Sequence, residues 1–155
     1  MPEVSLRPAT QQDGPFLYQL LKATMQAYVA QTWGWDEDWQ RTTFWARFDP
    51  AHGQIIVRDG QDVGVLTVEE HADEVFLSQI YILPAHQGQG IGAVLIRSVL
   101  QRGTDLRLPV RLRVLRVNPA RRLYERLGFV VTGETDTRYF MEARPAGSCG
   151  TGVST

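Results

Sequence analysis

The sequence predicts an α/β (α+β) fold: a mixed, mostly antiparallel central sheet with helices on both faces and one parallel strand pair. Three observations carry this. An apolar, β-prone run, Ile80-Tyr81-Ile82-Leu83, stops at Pro84 and passes through a polar turn into Gly88, Gly90 and Gly92, after which the pattern is helical. Asp59-Gly60 separates two β-prone runs, the composition of a two-residue hairpin turn. A further β-branched run, Val110–Val117, follows that helix and leads into another at Asn118-Pro119. A strand, a helix and a strand in succession pair in parallel with a right-handed crossover, whereas tight turns give antiparallel neighbours.

In chain order, Val4–Arg7 reads as a short strand. Asp13 is placed as a helix N-cap, with Pro15 early in the helix. Phe16, Leu17, Leu20, Leu21, Thr24, Met25 and Tyr28 then recur at helical spacing until Gly34 breaks the pattern within 31–36. A second helix runs from Glu37 to Phe48 and closes at Asp49-Pro50. Gln54–Arg58 and Asp62–Glu70 are the arms of the hairpin. Ala72-Asp73 is the next turn, and Glu74–Leu83 is the strand that enters the glycine loop.

The stripe Ile91, Val94, Leu95, Ser98, Val99 and Arg102 marks the helix after the loop, ended near Gly103. Val110–Val117 places Arg111 and Arg113 on one face. Asn118 suits an N-cap and Pro119 a first helical residue. Ala120, Leu123, Tyr124 and Leu127 share one face of that helix; Arg121, Arg122, Glu125 and Arg126 share the other. Gly128 fits a left-handed C-terminal cap. Phe129–Thr132 and Tyr139–Ala143 complete the sheet. Residues 1–143 are expected to form one domain, and the small, polar stretch 144–155 a disordered tail.

Composition narrows the function. A chain of 155 residues is long enough to bury a core. Its net charge of −1 implies no bulk attraction to nucleic acid or membrane. The one cysteine, Cys149, has no internal partner, which suits a reducing cytoplasm, and no histidine beside it to make it a nucleophile. There is no basic-then-apolar leader and no run long enough to span a bilayer. His52 and His86 lie in loops without a second ligand at suitable spacing, so no metal is expected.

The glycine loop points to an anion. Alternate glycines bring successive backbone N–H groups to one point, and the following helix directs its positive end there. A diphosphate fits best. Gly88, Gly90 and Ala93 also satisfy a loose dinucleotide fingerprint, but that fingerprint belongs at a first strand–helix turn, with an acid at a strand end about 20 residues on. Here the loop follows several strands, and Asp105 comes after a helix. No Lys follows the glycines as a P-loop requires. Taken alone, the loop also fits a plain strand-to-helix turn.

A second segment, Asn118-Pro119-Ala120-Arg121-Arg122-Leu123-Tyr124-Glu125-Arg126-Leu127-Gly128-Phe129, changes the weight of the first. Together the two resemble the GNAT superfamily of acetyl-CoA-dependent N-acetyltransferases. Gln87, Gly90 and Gly92 match its Gln/Arg-x-x-Gly-x-Gly/Ala signature, and the second segment matches its Asn…Leu-Tyr-Glu-x-x-Gly-Phe helix. Leu6-Arg7-Pro8-Ala9-Thr10 and Asp13 are similar to its first strand and turn. The resemblance spans roughly residues 4–142.

The resemblance implies acetyl-CoA as co-substrate, its diphosphate on backbone N–H groups of Gln87, Gly88, Gln89, Gly90, Ile91 and Gly92. Pantetheine would run along the main chain of Ile80, Tyr81 and Ile82. Tyr124 matches the tyrosine that protonates the leaving thiolate; a phenol near pKa 10 can protonate a thiolate near 8.5. Its position on an apolar helix face also fits core packing. Asn118 would hydrogen-bond pantetheine amides, cap its helix, or both. For the proton of the acceptor amine, Glu69 and Glu70 end the strand before the loop strand, with His71 adjacent; they read equally as solvated turn residues, and an ordered water chain would serve instead.

At the acceptor end, Trp33, Trp35, Trp39 and Trp45 cluster around Gly34-Trp35-Asp36-Glu37. The resemblance places the connection of the first two helices on a wall of the acceptor pocket. Trp33 and Trp35 would then face an amine that Asp36 or Glu37 attracts, with Tyr139 on the opposite wall. Part of the cluster also fits simple packing. The acceptor would be a small-molecule or peptide amine. The competing reading is a non-catalytic acyl-CoA-binding regulatory or sensor module. The resemblance is compatible with a homodimer, although no segment specifies an interface.

Overall fold

The structure, a computed structural model, describes residues 3–145. Residues 146–155, which hold Cys149 and most of the expected tail, lie outside the described residues. The strands are β1 (Val4–Pro8), β2 (Gly53–Arg58), β3 (Gln61–Glu70), β4 (Val75–Ile82), β5 (Val110–Leu115), β6 (Val130–Glu134) and β7 (Arg138–Ala143). The helices are α1 (Gly14–Trp33), α2 (Glu37–Arg47), α3 (Ile91–Leu106) and α4 (Ala120–Arg126). The sheet order is β1-β2-β3-β4-β5-β7-β6. The pairs β1–β2, β2–β3, β5–β7 and β7–β6 are antiparallel; β4–β5 is parallel, with Val75 opposite Val110 and Phe76 opposite Arg111. This is the mixed sheet the sequence predicts.

Among the described residues the chain divides into two compact units, one of residues up to 67 with 79–91, the other of 68–78 with the residues from 92 onward. In the first, Tyr18, Leu20, Ile55, Ile56, Val63, Val65 and Leu66 are buried. Asp59 (φ 51°) and Gly60 (φ 78°) are both left-handed, as a type I′ hairpin turn demands. Gly34 (φ 85°) ends α1, and its N–H donates to the Ala30 carbonyl at 3.0 Å. Asp36 accepts from the Trp39 N–H at 3.0 Å and so caps α2.

Asp13 has a different task from the one expected. It stands before α1, but its carboxylate accepts from the Thr10 N–H at 2.7 Å and from Arg7 at 3.0 and 2.8 Å. A guanidinium outcompetes a helix amide for the same oxygens. Arg7 holds the Asp13 carboxyl below its usual range.

In the second unit Val75, Leu77, Ile96, Val99, Val110, Leu112, Phe129 and Met141 are buried. α3 runs past Gly103 to Leu106 rather than stopping there. A Cβ at Gly103 would lie 2.7 Å from Val110 Cγ2 and 3.0 Å from the Leu108 carbonyl. The glycine thus permits close helix–strand approach, and the stop falls at Arg107 (φ 59°). Arg111 on β5 donates to Glu74 at 3.0 Å and to Glu142 on β7 at 2.9 Å. Among the described residues no helix is long and apolar enough to cross a membrane.

Candidate active site

Between β4 and α3 the chain makes one 3-10 turn, Pro84–His86, and then the glycine loop. The Gln87 side chain donates to the Ile82 carbonyl at 2.8 Å and folds the turn back on its own strand. Gly88 (φ 75°) and Gly90 (φ 85°) take backbone conformations that side chains resist, and nothing lies within 4 Å of where their Cβ atoms would be. Gln89 accepts from Arg58 on β2. Gly92, the third of the alternate glycines, lies in the first turn of α3. Two glycines therefore shape the loop, and the third leaves the helix start bare, where N–H groups lack intrahelical partners.

Gly64 on β3 sits where a Cβ would overlap the Tyr81 carbonyl oxygen. The Leu83 N–H donates to the Val63 carbonyl at 2.8 Å. These contacts fix the strand residues Ile80, Tyr81 and Ile82. Tyr81 is half-buried, and burial pushes its phenol up.

Within the first unit a cleft of about 320 Å³ opens beside Gln79 and Tyr81. Leu17 and Leu21 of α1, Phe44 and Phe48, and Val65 of β3 form its apolar walls. Gln40, Thr43, Arg47, Asp49 and Thr67 bring polar groups to it. Trp33, Trp35 and Asp36 are not among its lining residues. Trp33 belongs to the last turn of α1 and is 55 % exposed. The Trp35 indole donates to Glu37 at 3.0 Å, and Asp36 is the α2 cap.

These residues build the α1–α2 junction, which centres on Glu37. Its carboxylate accepts from Trp35 at 3.0 Å, from the Tyr18 phenol at 2.7 Å and from Arg41 at 3.1 Å, and pairs with Lys22 at 3.1 Å. The Trp35, Tyr18 and Lys22 bonds bring Glu37 down to about 2; burial and the Glu37 bond take Tyr18 up to about 12. The lining residues missed from sequence, Gln40, Thr43, Phe44, Arg47 and Phe48, have a helical signal of their own. They recur at three- and four-residue steps on one side of α2 and its end.

In the second unit, Asn118 Oδ1 accepts from the Ala120 N–H at 2.9 Å, so the residue does cap, although α4 begins at Ala120 rather than Pro119. Tyr124 meets buried Phe129 edge to face, with centroids 5.8 Å apart. Gly128 (φ 106°) turns the chain between them. The guanidinium groups of Arg116 and Arg121 both lie over the Tyr139 ring, 5.0 and 4.6 Å from its centroid. Glu70 accepts from Arg102 Nε and Nη2 at 2.7 and 3.1 Å, which holds it below the usual carboxylate range. Glu69 pairs with His71 at 3.2 Å.

Residues 15–129 match the acetyltransferase (GNAT) family. The chain belongs to that family. Over 100 residues it is 37% identical to the mycothiol acetyltransferase of Streptomyces coelicolor, a match covering 61% of this chain and 32% of that protein. The chain thus spans about a third of the length of that relative. Among solved structures, the GNAT chain is similar to the PaiA N-acetyltransferase from Thermoplasma acidophilum in complex with coenzyme A. The TM-score is 0.75 at 16% identity, covering 92% of this chain and 99% of that one. It is also similar to Arabidopsis thaliana Naa50 in complex with the bisubstrate analogue CoA-Ac-MVNAL, with TM-score 0.63, 17% identity, and 90% and 97% of the two chains covered. At such identities the likeness is one of fold, and it extends over nearly the whole GNAT chain.

Proposed function

We propose that this chain moves the acetyl group of acetyl-CoA directly to a primary amine within a ternary complex. The observation that carries the reading is the loop in which Gly88 and Gly90 take left-handed conformations between a pinned β4 and the open start of α3. The coenzyme A bound to the PaiA neighbour, and the CoA–peptide analogue bound to Naa50, support a CoA thioester as donor.

On this reading the backbone N–H groups from Gln87 to Gly92 take the diphosphate, and the main chain of Ile80–Ile82 takes pantetheine. The neutral amine attacks the thioester carbonyl carbon. A main-chain N–H stabilises the oxyanion, worth about 3–4 kcal/mol in a dry site. The C–N bond forms, the C–S bond breaks, and the Tyr124 hydroxyl gives the thiolate its proton. The amine proton leaves through water rather than to Glu70, because Arg102 occupies both oxygens of that carboxylate and lowers its basicity. Among the described residues no group of three His, Cys, Asp or Glu is placed to hold a metal. The chemistry needs none, and a reducing cytoplasm suits it.

Titrating the protein with acetyl-CoA calorimetrically, then following thiol release over an amine panel, tests the reading. Binding with amine-dependent release supports it. Binding without release by any amine favours the sensor alternative. Absence of binding removes the loop from the argument.

A further inference from the structure

The cleft in the first unit carries information about the acceptor. Two charged side chains line it, Arg47 and Asp49. Asp49 is committed: its Oδ1 accepts from the Ala51 N–H at 2.9 Å and caps the turn Pro50–His52. Arg47 is not. Among the described residues its guanidinium has no carboxylate or carbonyl partner. The uncommitted charge of this cleft is therefore a planar cation with a fork of donors, the group that suits a carboxylate best.

We infer that the acceptor is a small amine that also carries a carboxylate, an amino acid by class, with the carboxylate on Arg47. The inference rests on the transfer reading above and narrows it. Three features agree with it. A polyamine would bring a second ammonium toward a cleft whose free charge is already positive. At about 320 Å³ the cleft is near the lower end of small-molecule pockets, a size for a single residue rather than a peptide. Phe44 and Phe48, with ring centroids 5.6 Å apart and stacked, offer an apolar wall to the side chain of such an acceptor. The cleft also reaches Tyr81, a residue of the strand assigned to the donor.

The test is a panel of free amino acids, the amino alcohol of each, 1,4-diaminobutane and a short amidated peptide, assayed by thiol release with saturating acetyl-CoA. Amino acids should exceed their amino alcohols in kcat/KM by about ten- to a hundredfold, the range of a charged hydrogen-bonded pair. Arg47→Gln should collapse that ratio toward one, and Arg47→Glu should shift the preference to the diamine. Acetyl-CoA affinity reports whether each variant is folded. Amino alcohols equal to amino acids, a preference for the diamine or peptide in the unmodified protein, or an Arg47→Gln loss that falls evenly on all amines would each overturn the inference while leaving acetyl transfer intact. If acetyl-CoA binds and no amine is acetylated, the transfer reading itself fails, and this inference with it.

Discussion

The Tyr18 phenol donates to Glu37 Oε2 across 2.7 Å, joining α1 to the first residue of α2. Trp35, Lys22 and Arg41 fill the remaining positions around that carboxylate. The junction that carries Phe44, Arg47 and Phe48 to the cleft is thereby tied to an ion.

That tie has a pH signature. The Glu37 carboxyl sits at about 2 in the folded chain, against an ordinary value of 4.5. A depressed acid contributes fully above its unfolded value and loses its contribution as pH falls through the folded one. Urea midpoints should thus fall between pH 4.5 and 2. Glu37→Gln should lower stability at neutral pH and shallow that decline. Asp13, also lowered, leaves a residual slope. Identical pH profiles for the two proteins would remove Glu37 from this role.

Gly90 and Gly92 should respond oppositely to alanine. At Gly90 (φ 85°) alanine meets no neighbour but costs about 1–2 kcal/mol in backbone strain. At Gly92, inside α3, alanine favours the helix by roughly 0.5–1 kcal/mol. Thermal melts should separate them by sign. Calorimetry should show both weakening acetyl-CoA, because both add a methyl group beside the amides proposed to hold the diphosphate.

Gly103→Ala should destabilise the fold by about 1–3 kcal/mol, the cost of overpacking. Its Cβ would be 2.7 Å from Val110 Cγ2. If Gly103 were an ordinary helix position, alanine would instead stabilise the protein, and chemical denaturation distinguishes the two.

Tyr124→Phe should lower kcat by about a hundredfold or more while the ring keeps its contact with Phe129. Acetyl-CoA affinity and melting temperature should hardly move. A parallel loss of affinity would mean that the hydroxyl binds the donor instead of protonating its thiolate.

Strands and helices were legible because alternation, helical spacing and turn chemistry are local. Asp59-Gly60 and Gly34 show this: their φ values follow from residue type and neighbours. Gly103 misled because a glycine that ends a helix and one that lets a strand approach look alike until Val110 is beside it. Asp13 misled for a similar reason, since its competitor Arg7 lies on another element. At the proposed acceptor end the tryptophans drew attention by rarity, yet Trp35 and Asp36 spend their polar groups on the junction. The cleft belongs to the plainer stripe of Gln40, Phe44 and Arg47, whose meaning depends on Gln79 and Tyr81, far along the chain.

Arg111 in the second unit serves Glu74 and Glu142 together, and the three partners of this triplet are not equal. Neutralising either acid removes one attraction and leaves the cation with the other. Removing the cation leaves two carboxylates whose counter-charge has gone. Glu142 would retain Arg144, 3.0 Å away, whereas Glu74 has no second cation among the described residues. The turn that enters β4 is therefore tied to β5 twice, by the backbone bond from the Val75 N–H to the Pro109 carbonyl and by a positive charge that no accessible pH can remove.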